Sequence, residues 1–426
     1  MTPTIPLYWE QFQIGDIVAD EQGVRLVYEQ RWQNSKGRGA FPVSLTMPLD
    51  AREHDALSWL GNLLPEAEAL KTVGRRLGIA PEDAIGMLSR IGRDTAGALS
   101  MGAPHGTPSG DWRYRRIPDD AALERIINEL PAKPFLVGDE GVSMSLAGVQ
   151  EKLPVALLDL RPSIPLHDSP STHILKPAPT DRLFGAAHNE ALCLLLARRC
   201  GIPAAEAITG RAGERTYLLV ARYDRRIVQD HWRRLHQEDF CQALSKPPSA
   251  KYERNQSGIK GPRLTDMFGL VDRHMTAADK VRLLDAVVFN VLICNTDSHA
   301  KNYSALFVGS IVTLAPLYDL MCADCWDGVT KNMAQTIADK DRGGYLYGRH
   351  WQRMAKACGL NPTSTLQRVE ILADKVIVAL PGVVAEVEAM PAGPHPMLRE
   401  FEAAIARRCG DIKRQLRERD GEQRPP

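Results

Sequence analysis

The sequence lacks the features that mark secreted, membrane-spanning and nucleic-acid-binding chains. The first residues, MTPTIPLYWEQFQIGD, contain no basic segment followed by an apolar one, so no signal peptide is expected. The longest apolar-rich stretch, residues 283–294, is interrupted by Asp285 and Asn290 and falls short of the ~20 residues that span a bilayer. With 53 basic and 52 acidic side chains, the net charge of +1 is not that of a nucleic-acid binder. A cytoplasmic protein without membrane partners is therefore expected.

Cysteine is also scarce. The eight cysteines are scattered over 426 residues, several of them in apolar, helix-like segments, which indicates reduced core thiols rather than a disulfide framework. Cys322-Ala-Asp-Cys325 is the one CxxC motif. A zinc site would need two more ligands, and the sequence has no second CxxC or HxxxH pair to supply them. Metal or redox use of this pair stays open as an alternative.

Length and local pattern predict an α+β protein of three regions. A chain of 426 residues is too long for one compact core. We predict a β-rich N-terminal module over residues 1–110, a small lobe over 111–240 and a helical C-terminal lobe over 241–426. In the second region the order strand, strand, helix, strand is that of a kinase small lobe. The result would be a bilobal, protein-kinase-like fold.

Periodicity and turn residues predict the individual elements. The N-terminal module is expected to contain antiparallel strands that include 23–28 and 41–47, a helix over 51–77, a helix that opens at Pro81, a strand over 92–101 and a linker at 102–110. The small lobe is expected to contain strands 153–158, 173–176 and 217–222 and a helix over 189–199. The C-terminal lobe is expected to contain a hairpin at 303–313 and helices over 239–246, 263–271, 276–293, 350–358, 363–379 and 397–417.

The segment Asn295-Thr-Asp-Ser-His-Ala-Lys-Asn302 carries the strongest chemical signal. It places Asp297 five residues before Asn302, and Asp319 follows after an apolar run. Phosphoryl transfer needs one aspartate for the hydroxyl proton, and an asparagine and a second aspartate to hold Mg²⁺ on the phosphates. Protein kinases space the first pair in the same way. A metallohydrolase that uses Asp297 and His299 as ligands, or a solvated turn, remains an alternative.

Three earlier features follow the order that a kinase uses. The segment from Ser143 to Lys152 precedes a strand and contains Gly148 among small residues, as a phosphate-binding loop would, although an ordinary turn has the same pattern. Lys176 ends an apolar strand and could reach phosphates, or simply point into solvent. Glu190 lies at the start of the next helix, where it could orient Lys176 or simply interact favourably with the helix dipole.

These motifs together resemble the HipA family, the serine/threonine protein kinase toxins of bacterial type II toxin–antitoxin modules. The resemblance covers nearly the whole chain and rests on the following segments: Leu64-Pro-Glu66, Ile91-Gly-Arg-Asp-Thr-Ala-Gly97, Ser145-Leu-Ala-Gly-Val-Gln-Glu-Lys152, His173-Ile-Leu-Lys-Pro177, Gln237-Glu-Asp-Phe-Cys-Gln-Ala-Leu244, Lys251-Tyr-Glu253, residues 295–302 and Tyr318-Asp319.

The resemblance implies roles for individual residues. Asp297 would be the catalytic base, Asn302 and Asp319 would bind Mg²⁺, and Lys176 would hold the α- and β-phosphates of ATP. Ser145 would be autophosphorylated, which would eject the phosphate loop and inactivate the enzyme. Nucleotide contacts would come from a phosphate loop, a hinge and the catalytic segments: Ala147, Gly148, Val149, Gln150, Glu151, Lys152, Lys176, Glu238, Asp239, Phe240, His299, Ala300, Lys301, Asn302, Tyr318 and Asp319.

The resemblance also implies a biological role. The kinase would phosphorylate a cytosolic translation protein, notably an aminoacyl-tRNA synthetase, and so arrest growth and favour persistence. Its partner would be a helix-turn-helix, HipB-like antitoxin, through which it would meet DNA only indirectly. Two alternatives remain: a catalytically weak co-repressor that holds this antitoxin on operator DNA, and a small-molecule kinase.

Overall fold

The computed structural model describes residues 4–104, 112–180, 182–229 and 231–418. These residues form two compact units. The first unit contains the described residues up to Pro177, together with Gly210–Pro248 and Ser304–Ala315. The second contains Ala178–Thr209, Ser249–Tyr303 and the described residues from Pro316 onward. The predicted linker falls largely on 105–111, outside the described residues, and the division into three regions stays a prediction.

The first unit opens with an antiparallel sheet of five strands in the order β4-β3-β2-β1-β5. The strands are β1 Thr4–Trp9, β2 Phe12–Asp20, β3 Gly23–Tyr28, β4 Glu53–Asp55 and β5 Leu99–Met101. This confirms the predicted antiparallel sheet, but the strand expected at 41–47 is wrong. There, the Tyr28 hydroxyl accepts from the Val43 N–H (2.8 Å) and donates to the Met47 carbonyl (2.7 Å). These backbone groups are thus satisfied by a side chain rather than by a strand partner.

Four short helices lie between β3 and β5 along the chain. They are α1 Gln30–Gln33, α2 Leu57–Gly61, α3 Ala67–Leu77 and α4 Ala84–Ile91. The single helix predicted over 51–77 is wrong, because Pro65 disfavours the helical conformation in the residue before it and separates α2 from α3. The predicted helix at Pro81 begins later, where the Asp83 side chain accepts the Gly86 N–H (2.8 Å) as an N-cap. Of the strand predicted over 92–101, only β5 forms.

A second sheet of six strands has the order β10-β11-β9-β7-β8-β6. Its strands are β6 Arg113–Arg116, β7 Leu153–Leu158, β8 Arg161–Leu166, β9 His173–Pro177, β10 Ala207–Ala212 and β11 Arg215–Ala221. The three predicted strands correspond to β7, β9 and β11. Helix α5, Asp120–Glu129, buries Leu123 and Ile127 in one apolar core with Val155 and Leu175. This core fixes β9, the strand that carries Lys176.

Two smaller sheets complete the first unit. The strands β12 Arg225–Val228 and β13 His231–Arg234 form a ribbon, and β14 His236–Asp239, β15 Ser304–Val308 and β16 Ile311–Leu314 form a three-stranded sheet. The pair β15–β16 is the predicted hairpin. Helix α7, Phe240–Ala243, follows β14 directly.

A buried ion cluster fastens the N-terminal module inside the first unit. Asp94, 3% exposed, accepts from Arg225 (2.8 Å) and lies 3.6 Å from Arg222 and 3.4 Å from Arg234. Asp224 accepts from Arg222 (2.8 Å) and from the Gly97 N–H (2.7 Å). Burial alone would raise the pKa of Asp94, but the arginines, Arg225 first, outweigh it and hold that pKa well below its usual range. The 91–97 segment therefore has a structural role.

The second unit is mainly helical, as predicted. Its helices are α6 Ala186–Arg199, α8 Leu264–His274, α9 Ala277–Leu292, α10 Gly348–Ala357, α11 Pro362–Glu388 and α12 Met397–Arg417. Short 3₁₀ turns occur in the chain at Pro134–Leu136, Pro248–Ala250, Ala300–Asn302 and Gly343–Tyr345. None of the helices within the described residues combines the length and the apolarity that a membrane crossing requires.

Candidate active site

The candidate catalytic loop follows a helix that is buried in the second unit. Helix α9 begins with a capping box between Thr276 and Asp279 and buries most of its later residues. It ends at Leu292, and Cys294 then turns the chain in the left-handed conformation (φ 61°). Residues 295–302 follow at once. A polar loop that starts from a rigid helix end is held in position by the core beneath it.

Buried amides fix the backbone of the aspartate in this loop. The Asp297 N–H donates to Asn295 Oδ1 (3.0 Å), and Asn295 Nδ2 donates to Asn290 Oδ1 (2.8 Å). Asn290 Nδ2 in turn donates to the Tyr303 hydroxyl (3.0 Å). Sequence reasoning gave Asn290 no role, although an asparagine inside an otherwise apolar helix was a signal of a buried polar network.

The carboxylate of Asp297 meets a tyrosine that the sequence did not single out. Asp297 is half-buried, and its Oδ1 accepts a hydrogen bond from the Tyr252 hydroxyl. The Tyr252 ring packs edge-on against His299, with 5.0 Å between the ring centroids. Beside it, the Lys251 carbonyl accepts the Ala300 N–H (3.2 Å). Tyr252 belongs to the quoted motif Lys251-Tyr-Glu253 but was assigned no function there.

Asn302 is tied to Asp297 in a way that suits a cation ligand. Its Nδ2 donates to the Asp297 carbonyl (2.8 Å), and its N–H donates to the His299 carbonyl (2.8 Å). With the amide nitrogen engaged, the amide oxygen is the group that would bind a cation. Mg²⁺ prefers such oxygen donors, and it is commonly held by one or two protein side chains together with substrate phosphates. The residues therefore fit the ion.

The segment of Tyr318 and Asp319 lies against the same loop. The Tyr318 hydroxyl donates to the Lys301 carbonyl (2.6 Å). Asp319 adopts a left-handed backbone conformation (φ 58°), which aspartate tolerates better than most residues. Its charge acts on His299, where it partly offsets the other influences on that pKa. The structure thus brings Asp297, His299, Lys301, Asn302 and Asp319 into one cluster.

His299 is a neutral member of this cluster. Burial first, and then the charge of Lys251, lower the pKa of His299 to about 3. Its buried Nδ1 has no hydrogen-bond partner among the described residues. The metallohydrolase alternative needs further ligands beside Asp297 and His299. Within the described ranges no group of three or more His, Cys, Asp or Glu side chains is arranged to hold a metal ion.

The predicted phosphate loop lies in the first unit and folds around its own lysine. Lys152 Nζ donates to the Ala147 carbonyl (2.6 Å). Gly148 has φ 103°, and a Cβ at this position would lie 2.7 Å from Lys152 Nζ, so only glycine fits the turn without a shift. The Gly148 carbonyl accepts the Glu66 N–H (3.1 Å), whereas Val149 is 60% exposed. The loop is therefore anchored at one side and presents its tip outward.

Ser145, at the start of this loop, is fully buried. Its hydroxyl donates to the Leu63 carbonyl (2.7 Å), and its N–H donates to the Asp94 carbonyl (3.1 Å). The neighbouring Ser143 hydroxyl donates to the Arg90 carbonyl (2.8 Å). A kinase cannot reach the Ser145 hydroxyl in this arrangement, so its modification requires the loop to leave.

Lys176 and Glu190 are both buried charges. Lys176 lies in β9 opposite Leu218 of β11 and is only 7% exposed, so the alternative of a strand-end lysine in solvent is wrong. Glu190 lies in α6 of the second unit and is 3% exposed. Lys and Glu are seldom buried without a specific reason, because desolvation of the charge is costly. Their pairing and their role toward phosphates stay predictions.

The predicted hinge spans the junction of β14 and α7. The Glu238 side chain is engaged within the protein, because its Oε1 accepts a hydrogen bond from the Leu45 N–H (2.8 Å). Burial raises the pKa of Glu238 to about 8. Asp239 caps α7 by accepting the Gln242 N–H (2.9 Å), and Phe240 is fully buried. Only backbone groups of these residues would be left for a ligand.

Comparisons with known proteins show similarity to one family over nearly the whole chain. A family model described as the HipA-like C-terminal domain matches residues 144–380, and one described as the HipA N-terminal domain matches residues 5–102. A putative kinase of Sinorhizobium fredii, Y4mE, is 33% identical over 89% of this chain and 91% of its own length. The serine/threonine-protein kinase toxin HipA of Shewanella oneidensis is 28% identical over 96% of this chain and 95% of its own.

A solved structure extends the likeness to the fold. The chain superposes on Shewanella oneidensis HipA, solved in complex with HipB and its operator DNA, with a TM-score of 0.83. The match is 25% identical in sequence and covers 96% of this chain and 97% of the other. An α+β, kinase-like fold is thereby confirmed.

Proposed function

The chain belongs to the HipA family of kinases, and we propose that it is an ATP- and Mg²⁺-dependent serine/threonine protein kinase that acts as the toxin of a type II toxin–antitoxin pair. One observation carries the proposal. Asn302 donates its amide to the Asp297 carbonyl, so a candidate base and a candidate Mg²⁺ ligand are locked together at the kinase spacing of five residues. Metal-dependent hydrolysis would need more metal ligands than Asp297 and His299. The arrangement therefore supports phosphoryl transfer better.

In the proposed reaction Asp297 accepts the proton of the attacking serine or threonine hydroxyl. Its backbone is held by Asn295, and its carboxylate is oriented by Tyr252. Asn302 and Asp319 would hold Mg²⁺, which when bound neutralises charge on the phosphates. The low pKa of His299 keeps that ring neutral at neutral pH.

ATP would be bound by backbone groups of several segments and by the buried ammonium group of one lysine. Lys176 would pair with the α- and β-phosphates, and Ala147 to Lys152 would offer backbone N–H groups to them. Glu238 to Phe240 would meet adenine through backbone groups, a role favoured by the engagement of the Glu238 side chain with Leu45. Residues 299–302 would complete the nucleotide contacts.

We propose further that Ser145 is autophosphorylated and that this inactivates the enzyme. The hydroxyl that donates to the Leu63 carbonyl would be replaced by a phosphate that carries about two negative charges and has no proton to donate there. A group of that size and charge is incompatible with a fully buried position. The phosphorylated loop could therefore not return to its buried position, and it would lose the conformation that binds the phosphates of ATP.

The partner is proposed by analogy with a relative, and the target from the family resemblance. By analogy with HipA solved with HipB and operator DNA, this chain would bind a HipB-like helix-turn-helix antitoxin and reach DNA only through it. Its near-zero net charge suits indirect contact with DNA. The protein substrate would be a cytosolic translation factor, an aminoacyl-tRNA synthetase being the class implied, whose phosphorylation would arrest growth.

The test is phosphoryl transfer from γ-labelled ATP with Mg²⁺, to the purified chain alone and to a cytosolic extract. We expect label on Ser145 and on one discrete extract protein, and neither in an Asp297→Asn variant. Ser145→Ala should lose the self-label and keep the extract label. Label on a small metabolite would instead indicate a small-molecule kinase, and tight ATP binding without any label would indicate the co-repressor.

A further inference from the structure

Glu253 directly follows the tyrosine that orients the Asp297 carboxylate, and its side chain is only 13% exposed. Its carboxylate accepts two hydrogen bonds from one residue, since Oε2 accepts the Thr336 N–H (2.6 Å) and Oε1 accepts the Thr336 hydroxyl (3.1 Å). The Glu253 N–H donates to the Ala334 carbonyl (3.0 Å). Both the backbone and the side chain of Glu253 therefore bind one segment, which lies 83 residues further along the chain.

The segment that Glu253 binds belongs to a tight hairpin, residues 333–341. The N–H of its first residue donates to the carbonyl of its last (2.6 Å), and Ile337 and Lys340 donate to each other's carbonyls at the turn (2.9 and 3.1 Å). The two residues between them have positive φ, 48° and 68°. Residues other than glycine seldom adopt this conformation unless the surrounding structure holds the turn. The hairpin is thus a fixed partner for Glu253 rather than a loose loop.

The same hairpin also lies beside the support of the Asp297 backbone. Asn295 accepts the Asp297 N–H and is itself bound to Asn290. These two asparagines line one small cavity together with three residues of the hairpin, Met333, Gln335 and Ile337. The hairpin is therefore next to Asn295 and is linked through Glu253 to Tyr252, so it adjoins both residues that position Asp297.

Tyr252 is also held at its own carbonyl. That carbonyl accepts a hydrogen bond from Asn255 Nδ2 (3.0 Å). A Cβ on Gly261 would lie 1.9 Å from the same oxygen, so only glycine allows this close approach. The Tyr252 hydroxyl then donates to Asp297. A shift of the Tyr252 backbone would move this hydroxyl, because the ring between them is rigid.

We propose that Glu253 is a positioning residue for phosphoryl transfer, which fixes Tyr252 through the 333–341 hairpin and so orients the Asp297 carboxylate toward the substrate hydroxyl. The catalytic effect rests on the proposed kinase function, whereas the effect on the Tyr252 backbone does not. A misplacement of about 1 Å can cost about 10²-fold in rate, and we expect the loss of these bonds to slow transfer on the order of tenfold. The KM for ATP should stay unchanged, since Asp297 acts on the substrate hydroxyl.

The test is a double-mutant cycle on the maximal rate of transfer from γ-labelled ATP to a cytosolic extract. Glu253→Ala should lower this rate on the order of tenfold in the unaltered chain. In a Tyr252→Phe background it should add less than about twofold, because the hydroxyl that Glu253 positions is already absent. A full further loss in the double variant would overturn the route through Tyr252.

Matched variants separate the contact from a general loss of stability. Glu253→Gln can accept the Thr336 N–H with its oxygen and donate to the Thr336 hydroxyl with its nitrogen, so it should keep most of the rate. Thr336→Val removes only the hydroxyl and should slow transfer less than Glu253→Ala. It tests the same contact if Glu253→Ala does not fold. Glu206→Gln, at a surface glutamate paired with Arg198 in the same unit, should leave the rate unchanged.

Amide hydrogen exchange distinguishes this positioning role from the kinase itself. Exchange in residues 251–256 and 333–337 should rise in Glu253→Ala and should stay unchanged in Glu206→Gln. Unchanged exchange in Glu253→Ala would overturn the proposed fixing of Tyr252, whether or not the chain is a kinase. A normal rate of transfer in Glu253→Ala would overturn the positioning role and leave the kinase standing. An unaltered chain without any transfer would contradict the kinase, and exchange would still decide whether Glu253 fixes Tyr252.

Discussion

Two aspartates with opposite surroundings lie in the two units. In the first unit Asp94 is buried and is compensated by Arg222, Arg225 and Arg234. In the second unit Asp297 is half-buried, and its carboxylate accepts from the neutral hydroxyl of Tyr252. The Asp94 carboxylate is surrounded by opposite charges. The Asp297 carboxylate is partly exposed to solvent, and the backbone of Asp297 is held by a hydrogen bond.

The difference separates a structural motif from a reactive one. The segment around Asp94 and the segment around Asp297 both carry the family resemblance. A carboxylate surrounded by three guanidinium groups has nothing left for a substrate, because its lone pairs are already used. A half-buried carboxylate on a rigid loop can accept from a substrate hydroxyl as well as from its tyrosine donor. We therefore expect stability to depend on Asp94 and activity on Asp297.

The largest effect on stability is expected from Asp94→Asn. Removing one partner of a buried ion cluster leaves arginines uncompensated, which costs about 3–5 kcal/mol. The free energy of unfolding, measured by urea titration, gives the value. Asp50→Asn, at an exposed residue paired with Lys36 on the surface, is the matched control and should change little. An equal loss of unfolding free energy in the two variants would contradict the structural role of the 91–97 segment.

A pH-dependent effect is expected at Glu238. Because burial raises the pKa of Glu238 to about 8, the folded state holds its proton more tightly than the unfolded state. The resulting stability is fully present below the ordinary pKa of a glutamate and is lost as pH rises toward about 8. The loss is about 1.4 kcal/mol for each pH unit between the two pKa values.

Glu238→Gln keeps the acceptor for the Leu45 N–H but cannot ionise. Its unfolding free energy should therefore lack the decline that the unaltered chain shows between weakly acidic and weakly alkaline pH. Glu82→Gln, at an exposed position of the same unit, should leave that decline in place. Parallel pH curves for Glu238→Gln and the unaltered chain would show that Glu238 is charged at neutral pH.

The smallest effect is expected from Tyr252→Phe. This substitution removes the hydroxyl that orients the Asp297 carboxylate and keeps the ring that packs on His299. A hydrogen bond to a charged group is worth about 1.5 kcal/mol or more, so kcat should fall roughly tenfold. The KM for ATP should stay unchanged. Tyr345→Phe, at a tyrosine that is 59% exposed, is the control. A change in KM alone would place Tyr252 outside the proton-transfer step.

Much of the fold could be predicted from local pattern. The apolar strands 153–158 and 173–176 and the C-terminal helices have strong periodicity, and the structure contains most of them at nearly the predicted bounds. The helix predicted over 363–379 is the exception, because it continues to Glu388. Strand β8, with two prolines, and the short strands β12 and β13 escaped prediction because tertiary pairing, not local propensity, forms them. The predicted strand at 41–47 failed because Tyr28 takes over its backbone hydrogen bonds.

The sequence pointed to the residues proposed to act on substrate and Mg²⁺, but not to the residues that hold them in position. Spacing alone pointed to Asp297, Asn302 and Asp319, because their chemistry is tied to a fixed order along the chain. Asn290 lies only five residues before Asn295, and its polar side chain inside an apolar helix was the signal for it. Tyr252 could not be found in the same way, since its contact with the loop spans 45 residues. Long-range contacts of this kind leave no periodic trace in a sequence.

The central claim is that Asp297 serves chemistry and contributes little to the fold. It is tested most directly by measuring, on one preparation of Asp297→Asn, both the rate of phosphoryl transfer from labelled ATP and the free energy of unfolding. The account predicts that transfer falls roughly 10²- to 10⁴-fold, as expected for loss of a general base, while the unfolding free energy stays close to that of the unaltered chain. A folded variant that transfers phosphate at an unchanged rate would contradict it.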